Sequence, residues 1–136
     1  MSYLLDTNIL SETRKRHRNT GVTEWISRTP SERLHLSILT IGEIDRGIKR
    51  LAQRGDQHQA TVLGGWLEDV VDEFGDRIVP ITLEVAREWG GQASQSIPVV
   101  DGLIAATAKV HGWMVITRNT KDFVNAGARV LNPFTD

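Results

Sequence analysis

Three carboxylates in this chain stand where a solvated surface would not put them. Asp6 directly follows the apolar run Tyr3-Leu4-Leu5, Glu43 lies near the start of a helical pattern, and Asp101 interrupts the nearly all-apolar stretch from Val99 to Ala108. Aspartate is rarely buried without a partner, so Asp101 requires a donor or a cation. Carboxylates brought together repel and raise one another's pKa unless a cation neutralises them. Hard oxygen donors of this kind suit Mg2+ or Mn2+. Each acid also has a plainer reading, because short oxygen-bearing side chains cap helices and negative charge is favoured in a helix's first turn. For Glu43 that reading is specific: Thr40, three residues earlier, gives capping-box spacing.

The elements that must carry these acids alternate between two periods. Tyr3 to Leu5 reads as a short buried strand, with Asp6, Thr7 or Asn8 capping a brief helix that takes in Ile9, Leu10 and Thr13. Asn19 or Thr20 caps a second helix with Val22, Trp25 and Ile26 on one face, ended by Pro30. Arg33 to Ser37 alternates like a half-buried strand, in which His35 is a surface or hydrogen-bonded histidine rather than a ligand. From Thr40 the apolar face Ile41, Ile44, Ile48 and Leu51 predicts a helix. Another runs from about Gln57 to Phe74, with Gly64-Gly65 in its middle as a point of weakness. A strand near Arg77 to Ile81 precedes a helix capped by Thr82 with Val85, Ala86 and Trp89 facing inward. Ser94 to Pro98 then leads into the helix bearing Asp101, closed by His111-Gly112. Trp113 to Thr117 and Arg129 to Leu131 read as further strands. Strands alternating with helices predict βαβ units around a parallel sheet, in one compact α/β domain spanning residues 1–136. In such a sheet, ligands bind beyond the carboxyl ends of the strands, which is where Asp6 falls.

Composition narrows the class without naming a task. The 136 residues suit one domain, and 40% hydrophobic with 24% charged residues is ordinary for a soluble globular chain. The absence of cysteine excludes disulfides and thiolate metal sites. No apolar run is long enough to span a membrane. Asp6 breaks the N-terminal apolar stretch almost at once, so a secretory signal is not expected and a cytoplasmic location is. A formal net charge of −1 gives no bulk support for nucleic-acid binding, so any such surface must be local. Two local candidates exist. Arg14-Lys15-Arg16-His17-Arg18 is the densest basic cluster, readable as a solvated loop or as a contact for phosphate or an acidic partner. Arg46, Arg50 and Arg54 recur every fourth residue on the helix that bears Glu43, either as a solvated face or as a stripe along a nucleic-acid backbone.

Four segments taken in order carry a family resemblance. Leu4-Leu5-Asp6-Thr7-Asn8, Ser37-Ile38-Leu39-Thr40-Ile41-Gly42-Glu43-Ile44, Asp101-Gly102-Leu103-Ile104-Ala105-Ala106-Thr107-Ala108 and Thr117-Arg118-Asn119-Thr120-Lys121-Asp122-Phe123 resemble the ordered motifs of PIN domains, and of VapC-type toxins from bacterial toxin–antitoxin pairs in particular. The resemblance implies a three-layer α/β sandwich with a central, mainly parallel sheet flanked by helices. It implies a metal-dependent endoribonuclease that uses Mg2+ or Mn2+ held by Asp6, Glu43 and Asp101 to hydrolyse RNA, commonly transfer or ribosomal RNA. Thr7 and Asn8 would support the metal shell. Given an RNA substrate, the stripe of Arg46, Arg50 and Arg54, together with Arg118, is this chain's own candidate RNA contact. The expected partners are a cognate VapB-type antitoxin and a second copy of the chain, assembling as a hetero-oligomer on operator DNA. The chain departs from the family pattern at Asn119, where relatives commonly carry Asp. Asp122, three residues on, is placed either to compensate as a ligand or to act as a helix-start charge.

Two other readings compete. A PIN-like binding module would act through antitoxin and DNA with a weak metal site, and Asn119 is its motivation. A phosphotransferase using Asp6 as nucleophile is disfavoured because position 8 is Asn and no suitably placed lysine follows the later strand.

Overall fold

The strand that ends at Asp6 lies at the centre of the sheet. In the computed structural model, which describes residues 1–92 and 96–135, β1 (Tyr3–Leu5) pairs with both β2 (Leu34–Ser37) and β4 (Met114–Ile116). β3 (Ile78–Val79) adds to β2 at one edge and β5 (Val130–Leu131) adds to β4 at the other, giving the order β3-β2-β1-β4-β5. Every pairing is parallel, so the sheet is wholly rather than mainly parallel among the described residues. Pro80 falls just past β3, consistent with its missing N–H ending the ladder.

Seven helices connect and flank these strands among the described residues: α1 (Thr7–Glu12), α2 (Thr20–Arg28), α3 (Ile38–Gln53), α4 (Gln57–Phe74), α5 (Leu83–Gly90), α6 (Val99–His111) and α7 (Thr120–Asn125). Alternate strand residues face opposite layers, as a pleated strand requires. Leu4 and Val115 pack with Ile104, Ala105, Ala108 and Phe123 from α6 and α7. Leu5 and Ile116 pack on the other face with Ile9, Leu10, Val22, Val70 and Phe74. That two-sided burial explains why the central strands read as continuous apolar runs. Among the described residues no helix is long and apolar enough to cross a membrane.

Some local expectations hold and others are corrected. Of the three caps expected for α1, Asp6 is the one used: its Oδ1 accepts from the Thr7 N–H, and the helix starts at Thr7. The cap of α3 is Ser37, three residues before the expected Thr40. The chain passes from β2 into the helix without a loop, and buried Ser37 caps it by accepting from the Leu39 N–H at 3.1 Å. Thr40 and Glu43 therefore form no capping box; Thr40 is buried and Glu43 sits in the second turn. α4 runs unbroken through Gly64-Gly65 because its apolar residues Leu67, Val70 and Phe74 are anchored in the core. On α5 only Val85 is buried; Ala86 is exposed and Trp89 is 39% exposed, resting on α6 rather than entering the core. Of the lead-in Ser94 to Pro98, residues 94–95 lie outside the described residues.

Candidate active site

The strand order reverses between β1 and β4: the chain builds β1, β2 and β3 outward in one direction and then returns to place β4 on the far side of β1. Such a switch point opens a crevice at the carboxyl ends of the strands, where α/β proteins bind ligands. Asp6 follows β1 there and Thr117 follows β4 there, level with each other because Leu5 pairs with Ile116. The Asp6 N–H continues the ladder by donating to the Ile116 carbonyl at 2.9 Å.

Asp6 is 6% exposed and its two oxygens are both engaged. Oδ1 accepts from the Thr7 N–H at 2.9 Å; Oδ2 accepts from Thr117 Oγ1 at 2.8 Å and from Asn8 Nδ2 at 3.2 Å. Burial pushes the Asp6 carboxyl up from the usual carboxylate range, and these three hydrogen bonds oppose that shift. The residue therefore is both the cap of α1 and the innermost acid of the crevice. The neighbouring Thr7 reaches away from the cap and donates through Oγ1 to Glu43 Oε1 at 2.9 Å, tying α1 to the second turn of α3. Asn8 ties β4's exit to the same turn, since its Oδ1 accepts from the Arg118 N–H at 3.2 Å.

The other two acids arrive on helix starts. Asp101 and Asp122 each occupy the first turn, of α6 and α7 respectively, where the helix dipole favours negative charge. Burial, then the charges of Asp6, Asp122 and Glu43, push the Asp101 carboxyl up to about 6. Three other acids thus act on the Asp101 carboxyl: Asp6 from the end of β1, Glu43 from α3 and Asp122 from α7. Asn119 stands between the last two, donating through Nδ2 to Asp101 Oδ2 at 3.3 Å and to Asp122 Oδ2 at 3.0 Å.

The donor set fits a hard divalent cation in chemistry, being all oxygen with an excess of negative charge that a cation would relieve. The side chains are not gathered for one in advance. Among the described residues no three acidic or histidine side chains come together as a ready cation cage. Glu43, Asp101 and Asp122 instead lean on Thr7 and Asn119.

Thr117 is the site residue that sequence reasoning did not single out. It is fully buried, and its hydroxyl donates to Asp6 and accepts from the Asn119 N–H at 2.9 Å. The available signal was symmetry: Thr117 ends its apolar strand just as Asp6 ends β1. The basic candidates divide. Arg46 and Arg50 are exposed on α3 and have no ion-pair partner among the described residues, whereas Arg54 is bonded to Asp56 at 2.8 Å. Arg118 lays its guanidinium over the Phe134 ring, 4.6 Å from the centroid, and so faces the C-terminal segment. Of the Arg14–Arg18 cluster, Lys15 pairs with Glu12 at 3.0 Å and Arg18 bonds the Lys15 carbonyl.

A parallel sheet in this order, with acidic side chains placed at its switch point, defines an α/β fold with a candidate acidic site. The family model for the PIN domain matches residues 3–128, and the chain belongs to that family. It is similar to the VapC ribonuclease Y4jK of Sinorhizobium fredii, at 36% identity covering 96% of both chains. It is also similar to Toxin FitB of Neisseria gonorrhoeae, at 34% identity covering 98% of this chain and 99% of that one. The crystal structure of FitAcB from N. gonorrhoeae superimposes with a TM-score of 0.87 at 34% identity, covering 96% of this chain and 97% of that chain. A structure of FitAB bound to an IR36 DNA fragment matches equally well, with a TM-score of 0.87 at 33% identity and 98% and 96% coverage.

Proposed function

We propose that the protein is a metal-dependent endoribonuclease toxin that hydrolyses RNA phosphodiester bonds, with transfer or ribosomal RNA as substrate, and is neutralised by a cognate VapB-type antitoxin. The observation that carries this reading is the hydrogen-bond network at the β1/β4 switch point, which links Asp6 through Thr117 and Asn119 to Asp101 and Asp122 and holds Glu43 on Thr7 beside it. The likeness to a VapC ribonuclease and to the FitB toxin supports the activity, and the FitAB complex with DNA supports an antitoxin-bound assembly on DNA.

Asp6, Glu43 and Asp101 would hold Mg2+ or Mn2+, with Asn119 and Asp122 as outer contributors. When bound, the ion supplies Lewis-acid activation of water and offsets the charge that develops on the attacked phosphate. The chain's own residues do the positioning. Thr7 steers Glu43 toward the crevice, Thr117 and Asn8 fix the Asp6 carboxylate, and the first turns of α6 and α7 present Asp101 and Asp122. Arg46 and Arg50 would neutralise RNA phosphates beside the site, with Arg54 and Arg118 contributing less because each already has a partner.

The test is cleavage of RNA by protein purified free of antitoxin. Cleavage that requires Mg2+ or Mn2+, stops with EDTA and is lost in Asp6→Ala and Asp101→Ala is the expected result. Full cleavage by either variant would overturn the site assignment. No cleavage with any divalent ion, with antitoxin binding retained, would favour the binding-module reading instead.

A further inference from the structure

Asn119 occupies the N-cap position of α7, where an asparagine side chain ordinarily accepts a hydrogen bond from the helix's free N–H groups. It makes no such bond. Its Nδ2 is instead turned to Asp101 Oδ2 at 3.3 Å and Asp122 Oδ2 at 3.0 Å, so the two amide hydrogens serve two carboxylates on different helices. Ionised carboxylates only accept, so the amide's orientation follows from its partners: the nitrogen must face the acids. The backbone N–H of the same residue donates to Thr117 Oγ1 at 2.9 Å, and that hydroxyl donates to Asp6. One residue thus reaches three of the acids.

We infer that Asn119 is a positioning residue whose neutral amide clamps Asp101 and Asp122 together in the metal-free protein, doing between two carboxylates what a cation does when one is present. An amide at this position lets α6 and α7 bring their acidic first turns together without an ion. Aspartate would be nearly isosteric but would bring no donor and one more negative charge. The clamp deepens the metal-site reading proposed above, and it concerns the state before the metal binds.

The decisive comparison is among wild type, Asn119→Ala and Asn119→Asp, unfolded thermally in EDTA and titrated with Mn2+ by calorimetry. In EDTA the Ala variant loses two hydrogen bonds, and the Asp variant loses them and adds repulsion. Tm should therefore fall in the order wild type, Ala, Asp, with successive steps of roughly 3–8 °C. Saturating Mn2+ should restore the Asp variant toward wild type. The Ala variant should bind Mn2+ roughly 10-fold or more weakly than wild type, as expected when a residue that orients ligands is removed. A residue acting only as a metal ligand through its oxygen would give the opposite order in EDTA, with Asp at least as stable as Ala, and that result would overturn the clamp. If either variant fails to fold, NMR of the wild type decides. Both Asn119 side-chain amide protons should be shielded from exchange in EDTA, whereas a fast-exchanging, solvent-like signal overturns the clamp. The expected order in EDTA without Mn2+ binding in any form would support the clamp and count against the metal reading alone.

Discussion

Thr117 Oγ1 donates to Asp6 Oδ2 at 2.8 Å in a fully buried contact that joins the exits of the two central strands. The register of β1 on β4 sets this distance, since Leu5 lies opposite Ile116 and the next residues on both strands face the same crevice. Without the hydroxyl, one oxygen of Asp6 keeps only Asn8, and the Asn119 N–H loses its acceptor. Thr117→Val keeps the shape and removes both bonds, so it should destabilise the protein by about 1–3 kcal/mol, measured by urea unfolding. It should also lower RNA cleavage, because Asp6 is no longer fixed. Thr117→Ser keeps the hydroxyl and should retain most of both.

Asp101 gives the metal-free protein a pH dependence of predictable sign. Its carboxyl is pushed up to about 6 in the fold from its ordinary value of 3.8, with burial first and the neighbouring acids second as causes. Between these values the folded state binds more protons than the unfolded one, so stability falls as pH rises through the window. Above about 6 the group is ionised in both states and the full penalty applies; below about 3.8 it is neutral in both. Asp101→Asn removes the penalty, so in EDTA the variant should be more stable than wild type at pH 7 to 8. The difference should shrink toward pH 4. Chemical denaturation across this range measures it, and a variant less stable than wild type at pH 8 contradicts the assigned cause.

Much of this arrangement was legible in the residues because the strands are short, apolar and buried on both faces. β1 falls within the expected bounds, and α4 matches its expected ends at Gln57 and Phe74. The acids were found because each interrupts an apolar pattern. What escaped was set by tertiary context. Ser37 was read as the last residue of its strand and Thr40 as the helix cap, and only the direct passage from strand to helix makes Ser37 the cap. Thr117 looked like an ordinary strand residue until β4 was placed beside β1. Trp89 obeyed helical spacing, but its ring lies on α6 at Gly102 rather than in the core, and one-dimensional periodicity cannot separate the two.

Gly102 is where that packing touches the site. A Cβ there would stand 3.1 Å from the Trp89 ring and 2.8 Å from Gln92 Oε1, while Gln92 Nε2 donates to the Gly102 carbonyl at 2.7 Å. The missing side chain lets α5 close on α6 one residue from Asp101. Gly102→Ala would gain helix propensity at an ordinary site. Here the flexible Gln92 can yield but the ring must shift, so the substitution should lower Tm by roughly 2–6 °C and reduce cleavage more than RNA binding. Trp89→Ala in the Gly102→Ala background should relieve part of the effect, which a double-mutant cycle of Tm values will show.

The basic stripe on α3 is aligned with the site by helical geometry alone. Residues three, seven and eleven positions beyond Glu43 fall on its face, and these are Arg46, Arg50 and Arg54. At about 1.5 Å per residue the stripe runs about 16 Å away from the carboxylate, a path for several consecutive phosphates. If RNA follows it, Arg46→Ala and Arg50→Ala should each weaken binding at every sequence tested and reduce the slope of log K against log salt by about 0.7, the single-strand value per phosphate contact. Arg54→Ala should change both less, because its guanidinium is already bonded to Asp56. Fluorescence anisotropy with a catalytically dead Asp6→Asn background across a salt series separates binding from cleavage. Unchanged slopes in the Arg46 and Arg50 variants would remove α3 as the RNA track and leave Arg14 to Arg18 as the basic segment to examine next.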